Sequence, residues 1–287
     1  MTVLIAGCGD LGTEVGLRLA AGGHRVVGWR RTPSVLPGSI EGVAADLSSA
    51  ALPTVPADTD VVVIAVAADG RDQAAYRAAY VDGVGRVLDA LERDGAVPRR
   101  AIFVSSTAVY GEATGPVDET SPTEPSRFNG RLMLEAEQVL LQRLAATATE
   151  PVVLRLGGIY GPGRTRLIDQ VRSGEAVAPA TPRRTNRIHR DDAAAAIVHL
   201  AGLPVTPDPV YLGVDDDPAE LADVLRFLAR ELDRPEPPVA ASDAPRERGA
   251  DRTCSNARLR STGFTFTYPT YVEGYRAVLA GTGVRHP

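Results

Sequence analysis

Six residues near the start of the chain set the first constraint. Thr2 to Ala6 form a short apolar run that breaks into Gly7-Cys8-Gly9-Asp10-Leu11-Gly12, and Asp10 to Ala21 then carry Leu11, Val15 and Leu19 at helical spacing. The bare G-x-G-x-x-G pattern is weak, but between a strand and a helix it marks a dinucleotide-binding turn. Gly7 permits the tight turn, Gly9 lets the backbone approach a pyrophosphate, and Gly12 lets the helix pack closely on the strand. The helix N-terminus at Asp10 and Leu11 supplies amide donors and a dipole for the phosphates. The alternative is a glycine turn with a structural role only.

The same alternation continues. Strand patterns at Arg25 to Trp29, Val43 to Ala45, Asp60 to Ala67, Ala101 to Ser106 and Pro151 to Gly157 are separated by helical patterns at Arg71 to Arg93 and in the 125–147 region. The run Val61 to Val66 does not alternate polar and apolar residues, which suits a strand buried on both faces of a parallel sheet. Strand and helix in strict alternation predict right-handed crossovers and an α/β fold, a Rossmann-like doubly wound parallel sheet. After Gly163 the rhythm loosens into helix patterns at Arg164 to Ser173, Asp191 to Leu203 and Pro218 to Leu232, with strand patterns at Thr185 to Ile188 and Val210 to Val214. Residues 233–250 are proline-rich and polar, a surface loop.

Composition excludes several classes. With 44% apolar and 23% charged residues the chain is ordinary for a globular protein. A net charge of -5 gives no basic stripe for nucleic acid. The N-terminus has no basic leader, and no apolar run approaches the roughly 18 residues of a membrane span; a cytoplasmic location is expected. Cys8 and Cys254 are the only cysteines, expected as reduced thiols, and no metal site is expected. The chain has no lysine: all 31 basic residues are arginine. Schiff-base chemistry, Walker A phosphate binding and any catalytic ammonium are therefore excluded.

The choice between NAD and NADP normally falls at the end of the second strand, where a carboxylate would hold the ribose 2'-hydroxyl. Here Trp29, Arg30 and Arg31 stand in that place without a carboxylate. Guanidinium groups suit a 2'-phosphate, so NADP(H) is expected over NAD(H). The alternative is that Arg30 and Arg31 are solvated surface charges. Asp46 and Leu47 follow the third strand, and Ala65, Val66 and Ala67 close the fourth; both stretches lie where ligands sit in open α/β sheets. Trp29 is expected to pack beside the adenine pocket.

Further motifs follow in order: Ser105-Ser106-Thr107-Ala108-Val109-Tyr110-Gly111, then Arg155-Leu156-Gly157-Gly158-Ile159-Tyr160-Gly161-Pro162-Gly163, then Ile188-His189-Arg190-Asp191-Asp192, and finally Ser255 to Phe264. Together with the glycine turn this order resembles the extended short-chain dehydrogenase/reductase superfamily, of the NAD-dependent epimerase/dehydratase type. The resemblance implies a cofactor domain, residues 1–157 with about 185–213, and a smaller C-terminal substrate domain, about 158–184 with 214–287. It implies redox chemistry on a small-molecule substrate. It also implies a homodimer through the helices at 71–94 and 124–147.

In that family a serine after the fifth strand works with Tyr-x-x-x-Lys on the next helix, the lysine lowering the tyrosine pKa. Unassisted, a tyrosine titrates near ~10 and is a poor base at neutral pH. Aligned on the Leu-x-x-Glu that follows the lysine in relatives, Arg127 falls at the tyrosine and Arg131 at the lysine, while Ser106 is kept. The chain thus resembles an atypical subgroup without the catalytic pair. Arg127 cannot relay a proton. Arg127 and Arg131 either bind an anionic substrate or cofactor phosphates, or Arg131 alone takes the ribose, or both are surface residues paired with acids such as Glu124 and Glu135. Ser106 either donates to a substrate oxygen or caps its loop.

Tyr80, Tyr110, Tyr160 and His189 are the candidate replacement proton donors. Tyr80 is favoured, while Tyr110 and Tyr160 match architectural positions and His189 suits a helix start. Three functions follow. The first is an NADP(H)-dependent oxidoreductase with a non-standard proton donor, acting on a small metabolite that includes a carboxylate or phosphate. The second is a silent NADP(H)-binding sensor or regulatory protein. The third is a sugar-nucleotide epimerase or dehydratase, disfavoured because it needs the tyrosine.

Overall fold

The computed structural model describes residues 1–49, 51–241 and 251–287. The chain forms β1 (Thr2–Ala6), α1 (Asp10–Ala21), β2 (Arg25–Arg30), β3 (Glu41–Ala44), β4 (Thr59–Ile64), α2 (Gln73–Tyr76), α3 (Gly83–Arg93), β5 (Arg100–Ser106), β6 (Gly115–Val117) and α4 (Phe128–Leu144). It continues through β7 (Glu150–Leu156), β8 (Gly158–Tyr160), α5 (Arg166–Ser173), β9 (Arg187–His189), α6 (Arg190–Gly202), β10 (Val210–Gly213), α7 (Leu221–Glu231), β11 (Arg252–Cys254), α8 (Ala257–Ser261) and α9 (Tyr271–Leu279). Of the loop expected at 233–250, residues 242–250 lie outside the described residues.

Seven strands make one parallel sheet in the order β10-β7-β5-β4-β1-β2-β3. From β1 the chain winds outward through β2 and β3, then crosses to β4 and winds the other way. The crossover leaves a crevice between the C-terminal ends of β1 and β4, the place where open α/β sheets bind ligands. β4 is buried over Val61, Val62, Val63 and Ile64, which accounts for its unbroken apolar run. One face of the sheet is covered by α3 and α4, through Val84, Leu88, Leu132, Ala136 and Leu140. The other is covered by α1 and the alanine-rich α6, through Val15, Leu19, Ala193 and Ile197.

A third, smaller core joins Tyr160, Ile168, Val171, Val224, Leu228 and Tyr275. Leu259 and Phe264, expected with this smaller unit, pack instead against the α1 and α6 face of the sheet. The helix expected as one piece over 71–93 is interrupted at Arg77–Asp82 by a wide π turn. Such turns carry an extra residue in the backbone ladder. No helix among the described residues is long and apolar enough to cross a membrane.

Beside the third core lie buried polar groups. Asp215 is 2% exposed, and neither of its carboxylate oxygens has a hydrogen-bond partner among the described residues. Burial pushes its carboxyl up to about 8, against the partial relief of the Arg187 charge. An acid whose pKa is raised by folding stabilises the fold while it is neutral; that contribution is lost as pH rises from the unfolded value of ~3.9 toward the folded one. The Asp215→Asn variant cannot ionise there. Its unfolding free energy is expected to gain on the wild type as pH rises from 5 toward 8, by up to ~1.4 kcal/mol per pH unit, in urea titrations. Parallel curves would show that Asp215 is ionised in the fold.

Candidate active site

The crevice begins at the glycine turn. Gly7 has φ +89, and a Cβ there would lie 2.7 Å from the Ala65 carbonyl oxygen at the end of β4. A Cβ on Gly12 would lie 2.8 Å from the Gly7 carbonyl oxygen and 3.1 Å from Ile5. Both positions are thus glycine because protein backbone or side chain fills the space. Gly9 is different: it has ordinary φ -86, and a Cβ there meets no heavy atom within 4 Å. Glycine at position 9 therefore leaves open space over the first amides of α1, room for a ligand to come against the backbone there.

Two clefts meet at this turn. The first, about 380 Å³, lies between the ends of β1, β2, β3 and β4 and is lined by Gly7, Gly9, Trp29, Arg30, Arg31, Asp46 and Leu47. The second, about 290 Å³, runs toward β5, α4 and β7 and is lined by Asp10, Leu11, Tyr80, Ser106, Asn129, Met133 and Gly157. Gly9, Ala65, Val66 and Ala67 belong to both. The result is one trough, with its waist over Gly9.

In the first cleft Trp29 is fully buried, and its carbonyl accepts the Gly7 and Cys8 amides at 3.1 and 2.9 Å, which fixes the turn. Arg30 donates to the Cys8 carbonyl at 3.3 Å and to the Pro287 carbonyl at 3.0 Å. Arg31 makes a two-pronged pair with Asp69 at 2.6 and 2.7 Å; both side chains are exposed. Asp46 accepts from the amide and hydroxyl of Ser48. Cys8 is buried, and burial raises its thiol to about 11.

The second cleft corrects the alignment on α4. The helix begins at Phe128, with Arg127 as its extended N-cap, so Arg127 and Arg131 do not share a helical face. Both are exposed, neither lines a cleft, and Arg131 donates to the Ser126 carbonyl. The residues that α4 turns into the cleft are Asn129 and Met133, four apart. Asn129 and Met133 have the spacing of Tyr-x-x-x-Lys, so α4 presents neither a tyrosine nor a lysine to this cleft.

The sequence carried a signal for this register. Glu135 and Glu137 both follow as candidate glutamates. Glu135 pairs with Arg77 at the surface, whereas Glu137 is 1% exposed and holds α4 to the sheet. Glu137 accepts from Ser105 and from Arg155 at 2.7 Å, and Arg155 donates to the Tyr110 hydroxyl at 2.8 Å. A buried carboxylate needs such partners.

Of the candidate proton donors, Tyr110 is locked in that network with its phenol raised to about 12, chiefly by burial. Tyr160 is buried outside the cleft linings, and burial raises its pKa too. His189 is fully buried, pushed down to about 4 by burial, and its Nδ1 accepts the Asp191 amide at the start of α6. Tyr80 does line the cleft, beside Tyr76, with ring centroids 5.3 Å apart. Burial raises its pKa, which makes it a weaker acid than a free phenol and keeps it protonated at neutral pH. Ser106 lines the cleft as well, and its oxygen also accepts the Ala108 amide at 3.2 Å.

Asp10 links the turn to other segments. Its carboxylate pairs with Arg190 at 2.8 Å and Arg164 at 3.0 Å, and accepts the His286 amide at 3.1 Å. The C-terminal stretch is held further by Arg190 on the Val284 carbonyl at 2.8 Å and by His286 on Glu14 at 2.9 Å. Residues 284–287 thus run along the rim of the trough, from the Gly163 loop to Arg30. This strap had no signal in the sequence pattern.

Fold and trough together define a dinucleotide-binding α/β protein. Residues 3–211 match the model of the NAD dependent epimerase/dehydratase family, and the chain belongs to that family. It is 31% identical over 210 residues to Protein YeeZ of Escherichia coli strain K12, covering 70% of this chain and 73% of that one. A solved structure from Methylobacillus flagellatus, described as a candidate NAD-dependent epimerase/dehydratase, is 37% identical and superposes with a TM-score of 0.77 over 98% of each chain. UDP-glucuronic acid 4-epimerase from Bacillus cereus, solved with NAD, has the same fold at 17% identity, with a TM-score of 0.79 over 98% of this chain and 96% of that one.

The open space at Gly9 allows a test that separates ligand binding from folding. Gly9→Ala is expected to lower the unfolding free energy in urea by no more than about 1 kcal/mol, since no contact opposes the methyl and alanine is only a poorer N-cap than glycine. Its affinity for nicotinamide dinucleotides, followed by calorimetry, is expected to fall roughly tenfold or more through lost amide contacts. A variant that unfolds early but binds normally would reverse this assignment.

Proposed function

We propose that the protein is an NADP(H)-dependent oxidoreductase that acts on a small metabolite without a tyrosine as proton donor. The observation that carries this reading is the continuous trough across the sheet's switch point, open at Gly9, with Arg30 and Arg31 at one end and Ser106, Asn129 and Met133 at the other. The adenosine half would lie beside Trp29, Asp46 and Leu47, the pyrophosphate over Gly9 and the start of α1, and the nicotinamide half along Ser106, Met133 and Gly157. When bound, the dinucleotide supplies or accepts the hydride.

The NADP(H) preference rests on the first cleft. Arg30 spends one nitrogen on two carbonyls and keeps further N–H groups for a phosphate. Among the described residues Arg31 is held only by an exposed pair with Asp69, worth roughly 0–1 kcal/mol. A dianionic phosphate can compete with that partner.

The second cleft supports turnover rather than silent binding, because it is open and lined by groups that can orient a substrate. Ser106 and Asn129 can donate hydrogen bonds to an oxygen or nitrogen next to the reacting carbon. Neither exchanges a proton readily at neutral pH, and the Tyr80 phenol is raised by burial. The substrate that fits is already activated toward hydride, such as an iminium or a conjugated enone. A sugar-nucleotide epimerase needs a base to start alcohol oxidation, and α4 presents no tyrosine to the cleft for that role. The buried thiols suit a reducing, cytoplasmic setting, and the smaller core would supply the substrate side.

Two measurements check the reading. Fluorescence titration is expected to show NADPH binding at least roughly tenfold tighter than NADH, with Arg30→Ala and Arg31→Ala narrowing the ratio while NADH affinity stays level. Equal affinities, unmoved by either substitution, would remove the preference. A screen of imines and enones with NADPH is expected to give turnover that Ser106→Ala and Asn129→Ala reduce; NADPH consumption indifferent to both would place the chemistry elsewhere.

A further inference from the structure

A third cleft, about 630 Å³ and open to solvent, adjoins the Asn129 end of the trough and shares Ile159 and Arg164 with it. Its size is in the range that small metabolites occupy. Two guanidinium groups line it, Arg164 in the loop after β8 and Arg166 at the start of α5.

These arginines differ in what holds them. Arg164 is 38% exposed, and its one ion pair among the described residues is to Asp10. Asp10 does not depend on it, because the fully buried Arg190 pairs with the same carboxylate at 2.8 Å and the His286 amide donates to it at 3.1 Å. If Arg164 turned away, Asp10 would keep the buried Arg190 cation and the His286 amide and lose only its half-exposed partner. Arg166 makes no hydrogen bond or ion pair among the described residues. Two acids share the lining, Asp169 and Glu175, but Asp169 is paired at 3.5 Å with Arg172, a third guanidinium just outside it, so one cation is left in excess.

We propose that this outer cleft receives the anionic group of the substrate, a carboxylate or a phosphate monoester, between Arg164 and Arg166. This inference rests on the oxidoreductase reading above and names its substrate class. On binding, Arg164 turns from Asp10 to the anion, and Arg166 supplies the second set of donors. The anion then sits outside the trough, and the carbon skeleton attached to it reaches past Ile159 toward Ser106 and Asn129. The anion contact that is one reading of Arg127 and Arg131 thus falls to a different pair of arginines.

The test uses the whole protein with inorganic phosphate and, separately, malonate as probes, titrated with saturating NADP+ present so that any phosphate site near Arg30 is filled. Calorimetry is expected to show binding of at least one probe, weakened roughly tenfold by Arg166→Gln and by Arg164→Gln. Arg226→Gln, an exposed α7 variant outside the cleft, is expected to match the wild type. Preference for phosphate over malonate identifies a phosphate monoester, and the reverse a carboxylate. No binding of either probe, or binding that the Arg164 and Arg166 variants leave unchanged, would overturn the proposal. NADP+ affinity of the wild type, measured first, keeps the outcomes apart: its absence would remove the cofactor reading itself.

Discussion

The site depends on one close approach between backbones. Where β1 ends, Gly7 turns the chain past the last carbonyl of β4, and no Cβ fits between them. The sheet divides at this point, because the chain winds one way from β1 and the other way from β4. A larger residue at position 7 would push the strand ends apart or swing α1 away. The turn would then no longer aim the first amides of α1 across the crevice. Gly12 extends the constraint by letting α1 lie against the same turn, and the Trp29 carbonyl ties it to β2.

Charge then connects this turn to the rest of the molecule. Asp10, at the first position of α1, places a carboxylate beside the ground where a pyrophosphate would lie, which is unfavourable unless it is neutralised. The buried Arg190 does so from the start of α6, and Arg164 adds to it from the substrate side. Arg190 also holds the C-terminal strap, which reaches Arg30 at the far end of the trough. Three segments far apart in sequence therefore meet at one carboxylate. Deeper in the fold, Glu137 and Arg155 fix α4 to the sheet and so determine which of its residues face the cleft.

Periodicity and glycines made the first cleft legible. The strand, turn and helix from Thr2 to Ala21 fall where the residues place them, and the positions at the ends of β2, β3 and β4 do line the first cleft. The chemical half was harder because two glutamates, two residues apart, gave α4 two possible registers. Only burial distinguishes Glu137 from Glu135, and burial is a property of the tertiary fold. The short pairings β6 with β11 and β8 with β9 were also hidden: three-residue strands carry no period. Arg164 read only as the start of a helix pattern, since its meaning comes from Asp10, 154 positions away in the chain.

The central claim is that one dinucleotide lies along the trough with its pyrophosphate at Gly9 and its reactive ring beside Asn129 and Met133. A crystal structure of the protein soaked with NADP+ tests it most directly. The account requires the pyrophosphate within hydrogen-bond reach of the α1 amides, the 2'-phosphate against Arg30 or Arg31, and the nicotinamide ring in the cleft lined by Ser106. Nicotinamide in the Trp29 cleft, or an empty trough at saturating cofactor, would contradict it.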